Sequence, residues 1–182
     1  DVKVDKITYD NINASPREVV IHNGGAVILP VLDNEKILFV KQFRYPLQKY
    51  IIELPAGKLN KGEDPLLCAT RELKEETGYS SNHITKLGSI FTTPGFCTEE
   101  LHLFLAESLI PGKHAREEGE MDMELLELSI DDIKIKNLLG IIEQPTYEDL
   151  LFEIISFLEN EGKDEFKKWD VSVKTRCRIS SS

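Results

Sequence analysis

Apolar and polar residues alternate from Val2 to Tyr9, break off between Asp10 and Pro16, and resume an extended pattern from Glu18 to His22. This predicts two short strands joined by a turn. Ala26 to Leu32 and Ile37 to Phe43 are apolar runs about Asp33-Asn34-Glu35, a hairpin signal. Tyr50 to Leu54 is a further extended run, closed by Pro55-Ala56-Gly57. Asp64-Pro65 supplies an N-cap followed by proline at the first helical position, which predicts a helix reaching about Thr77, with Gly78 as its stop. Ile84 to Phe91 and Leu101 to Glu107 read as strands about the loop Thr92 to Thr98, and Met123 to Leu128 as another. Thr146 with Asp149 resembles a capping box, and Tyr147, Leu150, Leu151, Ile154, Ile155 and Leu158 recur at helical spacing, a second helix to cover the sheet. Mixed strands with two main helices predict an α/β/α sandwich around a mixed sheet, preceded by a small N-terminal β extension.

Length and composition narrow the class. A chain of 182 residues can bury one sizeable core without staples. Its three cysteines, Cys68, Cys97 and Cys177, show neither disulfide nor zinc spacing, so a reducing cytosol is expected. No apolar run approaches the roughly 18 to 20 residues that span a bilayer, and no signal core opens the sequence, so no membrane partner is expected. With 32 acidic against 22 basic residues the net charge is -10, which argues against a nucleic-acid backbone as partner. A chain this acidic that binds an anion must bring cations to it locally, as metal ions or a few placed arginines.

The segment from Gly57 to Tyr79 carries the chemistry. On an α-helix Glu72, Glu75 and Glu76 share an arc of roughly 100°, so three carboxylates converge. Like charges at that spacing cost a few tenths of a kcal/mol per pair, which a hard divalent cation with oxygen ligands would offset. Glu63 and Arg71 form a charged pair suited to pinning the preceding loop against the helix, Gly57 lets that loop turn tightly, and Ala56 brings a backbone carbonyl near the carboxylates. A Glu-rich helix is by itself usually a solvated face. Seven fixed positions together should arise by chance less than about once in ten thousand chains of ordinary composition.

This segment, Gly57-x5-Glu63-x7-Arg71-Glu72-Leu73-x-Glu75-Glu76-x-Gly78-Tyr79, resembles the Nudix box at every charged and glycine position. The resemblance implies a Nudix-type fold, dependence on Mg²⁺ or Mn²⁺, and a pyrophosphohydrolase acting on a nucleoside diphosphate linked to another group. It makes Glu72, Glu75, Glu76 and the Ala56 carbonyl the metal ligands.

From Arg17 to about Leu158 the chain is similar to the ADP-ribose pyrophosphatase subgroup. The similarity lies in Arg17-Glu18-Val19, His22-x-Gly24-Gly25-Ala26-Val27, Gln42-Phe43-Arg44-Tyr45-Pro46, Glu53-Leu54-Pro55-Ala56-Gly57-Lys58, and Pro94-Gly95 sixteen residues after Gly78. It implies hydrolysis of ADP-ribose to AMP and ribose 5-phosphate, with Arg44 on the diphosphate, Glu53 on the terminal ribose, Glu99 in the same pocket, and Pro94 marking the substrate preference. Gly95 and Phe96 belong to that loop, and Phe43, Tyr45 and Phe96 offer an adenine-stacking surface. The subgroup's general base is a loop glutamate, for which Glu117, Glu118 and Glu120 compete; Glu120 is chosen as nearest the following strand, with Glu75 as a second catalytic carboxylate. Residues 1–24 are expected to be exchanged in a homodimer, with Arg17 reaching the partner's site, 25–162 to form the hydrolase domain and 163–182 a tail.

Residue by residue, plainer roles remain open. Pro94-Gly95 also fits an ordinary turn, Arg44 a surface strand arginine, Glu53 an ion-pair partner, and the aromatics core positions. Other nucleotide sugars would use the same metal apparatus, and a non-hydrolytic nucleotide sensor is the remaining class.

Overall fold

The computed structural model describes residues 1–8, 15–113, 115, 116 and 122–138. The expected helix from Thr146 to Leu158, the tail at 163–182, most of the Asp10 to Pro16 turn, and Glu117, Glu118 and Glu120 lie outside the described residues.

The leading alternation forms a two-stranded antiparallel sheet of β1 (Val2–Ile7) and β2 (Ser15–Val20). It is thinly covered: Val2 is 75% and Val4 66% exposed. The next two apolar runs become β3 (Gly25–Pro30) and β4 (Ile37–Arg44) around a turn in which Glu35 takes a left-handed φ of 63°. They do not form the expected hairpin. One bridge, Val31 to Ile37, joins them before they diverge into different sheets. Their composition gives the reason: every residue of β3 and the first four of β4 are buried, the signature of central strands with neighbours on both sides rather than of a half-exposed hairpin.

After β4 come a 3₁₀ turn, Tyr45–Leu47, then β5 (Lys49–Glu53) and β6 (Ala56–Lys58). The Pro55-Ala56-Gly57 closure thus opens a strand instead of a loop. Helix α1 (Pro65–Glu72) follows, then a π-helical turn over Leu73–Thr77. The chain continues through β7 (Tyr79–Ser80), β8 (His83–Phe91), β9 (Glu100–Glu107), β10 (Ile110–Pro111), β11 (Glu124–Leu128) and α2 (Ile130–Leu138), the last not expected from the sequence.

A four-stranded mixed sheet in the order β6-β3-β9-β8 forms the centre, with β3 and β9 parallel and the other pairs antiparallel. Strand alternation sorts its side chains into two cores. Ala26, Ile28, Phe104 and Ala106 face α1 and pack on Cys68, Ala69 and Leu73. Val27, Leu29, Leu103 and Leu105 face the opposite way, onto Phe39, Ile52, Leu128 and Ile133 of the antiparallel sheet β11-β4-β5 and α2. Leu73 is fully buried, so Leu73→Ala should cost about 2–5 kcal/mol and loosen the turn that carries Glu75 and Glu76. The mixed α/β architecture expected from the sequence is present, with α1 lying against β3 and β6. Among the described residues no helix is long and apolar enough to cross a membrane.

Candidate active site

Helix α1 begins where its cap dictates. The Asp64 carboxylate accepts from the Leu66 and Leu67 amides at 2.9 and 3.3 Å, and Pro65 occupies the first turn, where an amide donor is not missed. Loss of such a cap costs about 1 kcal/mol. At the other end Gly78, with φ 79°, closes the turn through its amide to the Lys74 carbonyl.

Between these ends the helix does not stay α-helical. From Leu73 it is wound as a single π turn, so the 3.6-residue spacing behind the expected 100° arc applies only as far as Glu72. Two of the three carboxylates are brought to one place for a different reason: Glu72 and Glu76 both reach the edge strand β6. Glu76, 2% exposed, accepts from the Ala56 amide at 3.1 Å. Glu72, 6% exposed, lies over the next residue, where a Cβ on Gly57 would stand 1.7 Å from its Oε1.

Gly57 is therefore required for space and not, as expected, for a tight turn; it is absent from the residues with positive φ. Because the Ala56 amide serves Glu76 instead of β3, this residue occupies an outward-facing position of an antiparallel edge strand. Its carbonyl then points to the same edge.

Arg71 is the hub of the cluster. Its Nε and Nη2 donate to the two Glu63 oxygens at 3.1 and 3.3 Å, the expected clasp between loop and helix. Its Nη1 also donates to Glu72 Oε1 at 2.6 Å and Glu75 Oε2 at 2.9 Å, two contacts the sequence did not suggest. Hydrogen bonds from Arg71, then from the Asn60 amide, hold the Glu63 carboxyl below the usual carboxylate range. The same Glu63 contact, working against desolvation, leads in raising Arg71 above its ordinary value. Burial, reinforced by the Glu72 charge, pushes the neighbouring Cys68 thiol up to about 11.

Three carboxylates, those of Glu63, Glu72 and Glu75, face this one guanidinium, and the fourth, Glu76, lies against the Ala56 amide, leaving a local excess of negative charge. The donors are hard oxygens, and two of the four are almost fully buried; in chemistry and charge they fit a hard divalent cation. Among the described residues no three acidic, His or Cys side chains already stand in ion-holding arrangement, and Arg71 Nη1 lies between Glu72 and Glu75. Seating a cation there requires that contact to open.

A second cluster lies on β4 and β5. Arg44 and Glu53 are held by each other, with Nη2 to Oε2 at 2.7 Å, and Gln42 Nε2 donates to the same Oε2 at 2.7 Å. Glu53 is 5% exposed, and a guanidinium and an amide meet its oxygens in the interior, so the buried polar group is not left without partners. Phe43 packs edge-on against Tyr50 at 5.4 Å, while Tyr45 is 77% exposed.

The third group of expected residues gathers where the end of β2 meets the 92–98 loop. Pro94 and Gly95 form a turn closed by the Phe96 and Cys97 amides on the Thr93 carbonyl. Phe96 is exposed, and its carbonyl accepts from the Val20 amide at 2.7 Å. Glu99 accepts from the Thr92 hydroxyl at 2.8 Å and lies 3.3 Å from His22 Nδ1. Arg17, exposed on β2, bonds to Ser15 Oγ and the Pro16 carbonyl.

Four residues at these clusters had no assigned role in the sequence: Gln42, His22, Thr92 and Arg116. Gln42 was legible in hindsight, since residues two apart on a strand share a face with Arg44. Arg116, which donates to the carbonyls of Glu76 and Met123, gave no signal.

Comparison with known proteins bears on this geometry. The profile of the NUDIX domain matches residues 22–144. The chain is 46% identical over 133 residues to an ADP-ribose pyrophosphatase of Bacillus subtilis (strain 168), covering 72% of both chains. It is 42% identical over 133 residues to a methanol dehydrogenase activator of Bacillus methanolicus, covering 72% of this chain and 71% of that one. A crystal structure of an ADP compounds hydrolase superposes with a TM-score of 0.66 at 16% identity, covering 89% of this chain and 95% of the other, a likeness of fold. Dependence on a divalent metal is general to the matched family. With the box residues converging on β6 and two thirds of the sequence matched, the chain belongs to the Nudix hydrolase superfamily.

Proposed function

We propose that this enzyme hydrolyses the diphosphate of ADP-ribose to AMP and ribose 5-phosphate, using Mg²⁺ or Mn²⁺. The observation that carries the chemistry is the placement of the buried Glu76 and Glu72 carboxylates against two consecutive residues of the edge strand, Ala56 and Gly57. The choice of substrate is supported by the ADP-ribose pyrophosphatase relative at 46% identity.

When bound, the cation supplies charge neutralisation and polarises a water molecule and a phosphate oxygen. In this reading Glu72, Glu75, Glu76 and the Ala56 carbonyl hold it. Glu120 takes the proton of the attacking water, helped by Glu75, as the bond between phosphorus and the bridging oxygen breaks. Arg44, anchored by Glu53, faces the diphosphate, and Glu53 meets the terminal ribose. Pro94, Gly95, Phe96 and Glu99 line the nucleotide side.

The same reading includes a homodimer that exchanges residues 1–24, supported by the exposed valines of a sheet with only two strands, so that Arg17 serves the partner's site. Residues 25–162 form the hydrolase domain and 163–182 a tail. A cytosolic setting is supported by the free thiols Cys68 and Cys97.

Product analysis by ³¹P NMR tests the proposal. ADP-ribose with protein and Mg²⁺ should yield AMP and ribose 5-phosphate in equal amounts; intact ADP-ribose or release of inorganic phosphate would oppose it. The Bacillus methanolicus relative favours a second reading, in which the domain acts on behalf of a dehydrogenase. Stimulation of a methanol dehydrogenase by a chain without ADP-ribose turnover would support that one instead.

A further inference from the structure

The π turn ends at carbonyls that the helix itself leaves over, as every helix does at its C-terminus. Gly78 satisfies the Lys74 carbonyl. The next two are taken by residues some forty positions further along: the Ala115 amide donates to the Glu75 carbonyl at 3.1 Å, and Arg116 donates to the Glu76 carbonyl through Nε at 3.1 Å and Nη2 at 3.0 Å. Arg116 Nη1 also donates to the carbonyl of Met123, which is buried next to the start of β11.

We propose that Arg116 is a positioning residue for the carboxylate turn, fixing the Glu76 main chain so that its side chain stays aimed at the cation site; this rests on the reading of Glu72, Glu75 and Glu76 as metal ligands. Glu76 is gripped from both ends, with Arg116 at its carbonyl and the Ala56 amide at its carboxylate. Releasing the carbonyl frees the peptide to rotate and carries the carboxylate off its line.

The chemistry explains why arginine stands there. A planar fork delivers two N–H groups to one oxygen and a third to another carbonyl, which a lysine ammonium on a flexible stem does not reproduce. A cation at the carbonyl end of a helix also complements its dipole. Partners that orient metal ligands without touching the metal typically contribute 10–100-fold in affinity or activity.

The test measures Mn²⁺ binding to the full chain by EPR of the free ion, for the wild type, Arg116→Gln, Arg116→Lys and Glu76→Gln, with melting temperature and kinetics alongside. Arg116→Gln is expected to weaken Mn²⁺ binding by about tenfold or more and to lower kcat with little change in the KM for ADP-ribose. Arg116→Lys, which keeps the charge but gathers its donors on a single nitrogen, should fall between wild type and Arg116→Gln. A role confined to stability would lower the melting temperature and leave Mn²⁺ affinity alone. Wild-type Mn²⁺ affinity in folded Arg116→Gln, alongside lost binding in Glu76→Gln, would overturn the Arg116 assignment only. Wild-type affinity in Glu76→Gln would overturn the metal reading and this proposal with it. Should Arg116→Gln fail to fold, Arg116→Lys decides: wild-type affinity there overturns the assignment.

Discussion

The carboxylate of Glu72 lies where a side chain on residue 57 would begin, 1.7 Å from Oε1 and 1.9 Å from Cδ to the position of a Cβ. A glycine and a glutamate fifteen residues apart are thus one device, in which the missing methyl of the first makes room for the second.

Gly57→Ala follows directly. Since residue 57 has no positive φ, alanine meets no backbone penalty, but its Cβ falls within 2.5 Å of Oε1, Cδ and Cγ of Glu72, so that side chain must swing away from Cγ outward. Thermal stability should change by no more than about 1 kcal/mol, whereas turnover should fall at least roughly tenfold as Glu72 leaves its place. Melting curves and kcat at saturating metal check this; full activity would show that the position of Glu72 is not needed.

Arg44 and Glu53 separate an ion-pair role from a substrate role. Glu53 is buried while the Arg44 side chain is 44% exposed, so Arg44→Ala should cost about 1–3 kcal/mol, less than the roughly 3–5 kcal/mol of a fully buried pair. Arg44→Ala with Glu53→Ala should recover part of that stability, because no buried carboxylate is left alone. If Arg44 also meets the diphosphate, kcat/KM stays low in the double variant even as stability returns. Recovery of both would leave the pair a structural role alone.

The Glu63 clasp sets a pH dependence. Its carboxyl is lowered from 4.5 in the folded chain, so its contribution is fully present above about that pH and is lost as pH falls through the lower folded value. The gap in melting temperature between wild type and Glu63→Gln should therefore be constant near neutrality and close below pH 4.5. A gap that widens on acidification would mean that the Arg71 contact is not what Glu63 contributes.

Exchange of residues 1–24 has its own test. Arg17→Ala and Glu76→Gln chains, each inactive, are denatured and refolded together. If Arg17 serves the partner's site, half the molecules carry one complete site of two, and activity should return to roughly a quarter of wild type. No return from confirmed heterodimers would place Arg17 at the site of its own chain.

What was legible in the sequence was local. The Asp64 cap, the Gly78 stop and the Glu63-Arg71 clasp depend on residues within a few turns of one another, and each stands as read. The contacts that aim the carboxylates are not local. Glu76 to Ala56 and Glu72 to Gly57 exist because β6 is the sheet edge beside α1, which no periodicity in the box reveals. The π turn was hidden because the 3.6-residue period was carried past Glu72. Likewise Asp33-Asn34-Glu35 promised a hairpin, but runs buried on both faces send β3 and β4 into separate sheets. Arg116 looked like one more charge in a charged loop, since its partners are backbone carbonyls that leave no trace in side-chain spacing.

The central claim is hydrolysis of ADP-ribose by this carboxylate cluster, and kcat/KM across ADP-ribose, ADP-glucose, GDP-mannose and NADH, each with Mg²⁺, tests it most directly. ADP-ribose should be preferred over every other compound by at least about tenfold, a difference of roughly 1.4 kcal/mol in transition-state binding, with Glu76→Gln abolishing turnover of all four. A higher kcat/KM for another member, or turnover of ADP-ribose that survives Glu76→Gln, would contradict it.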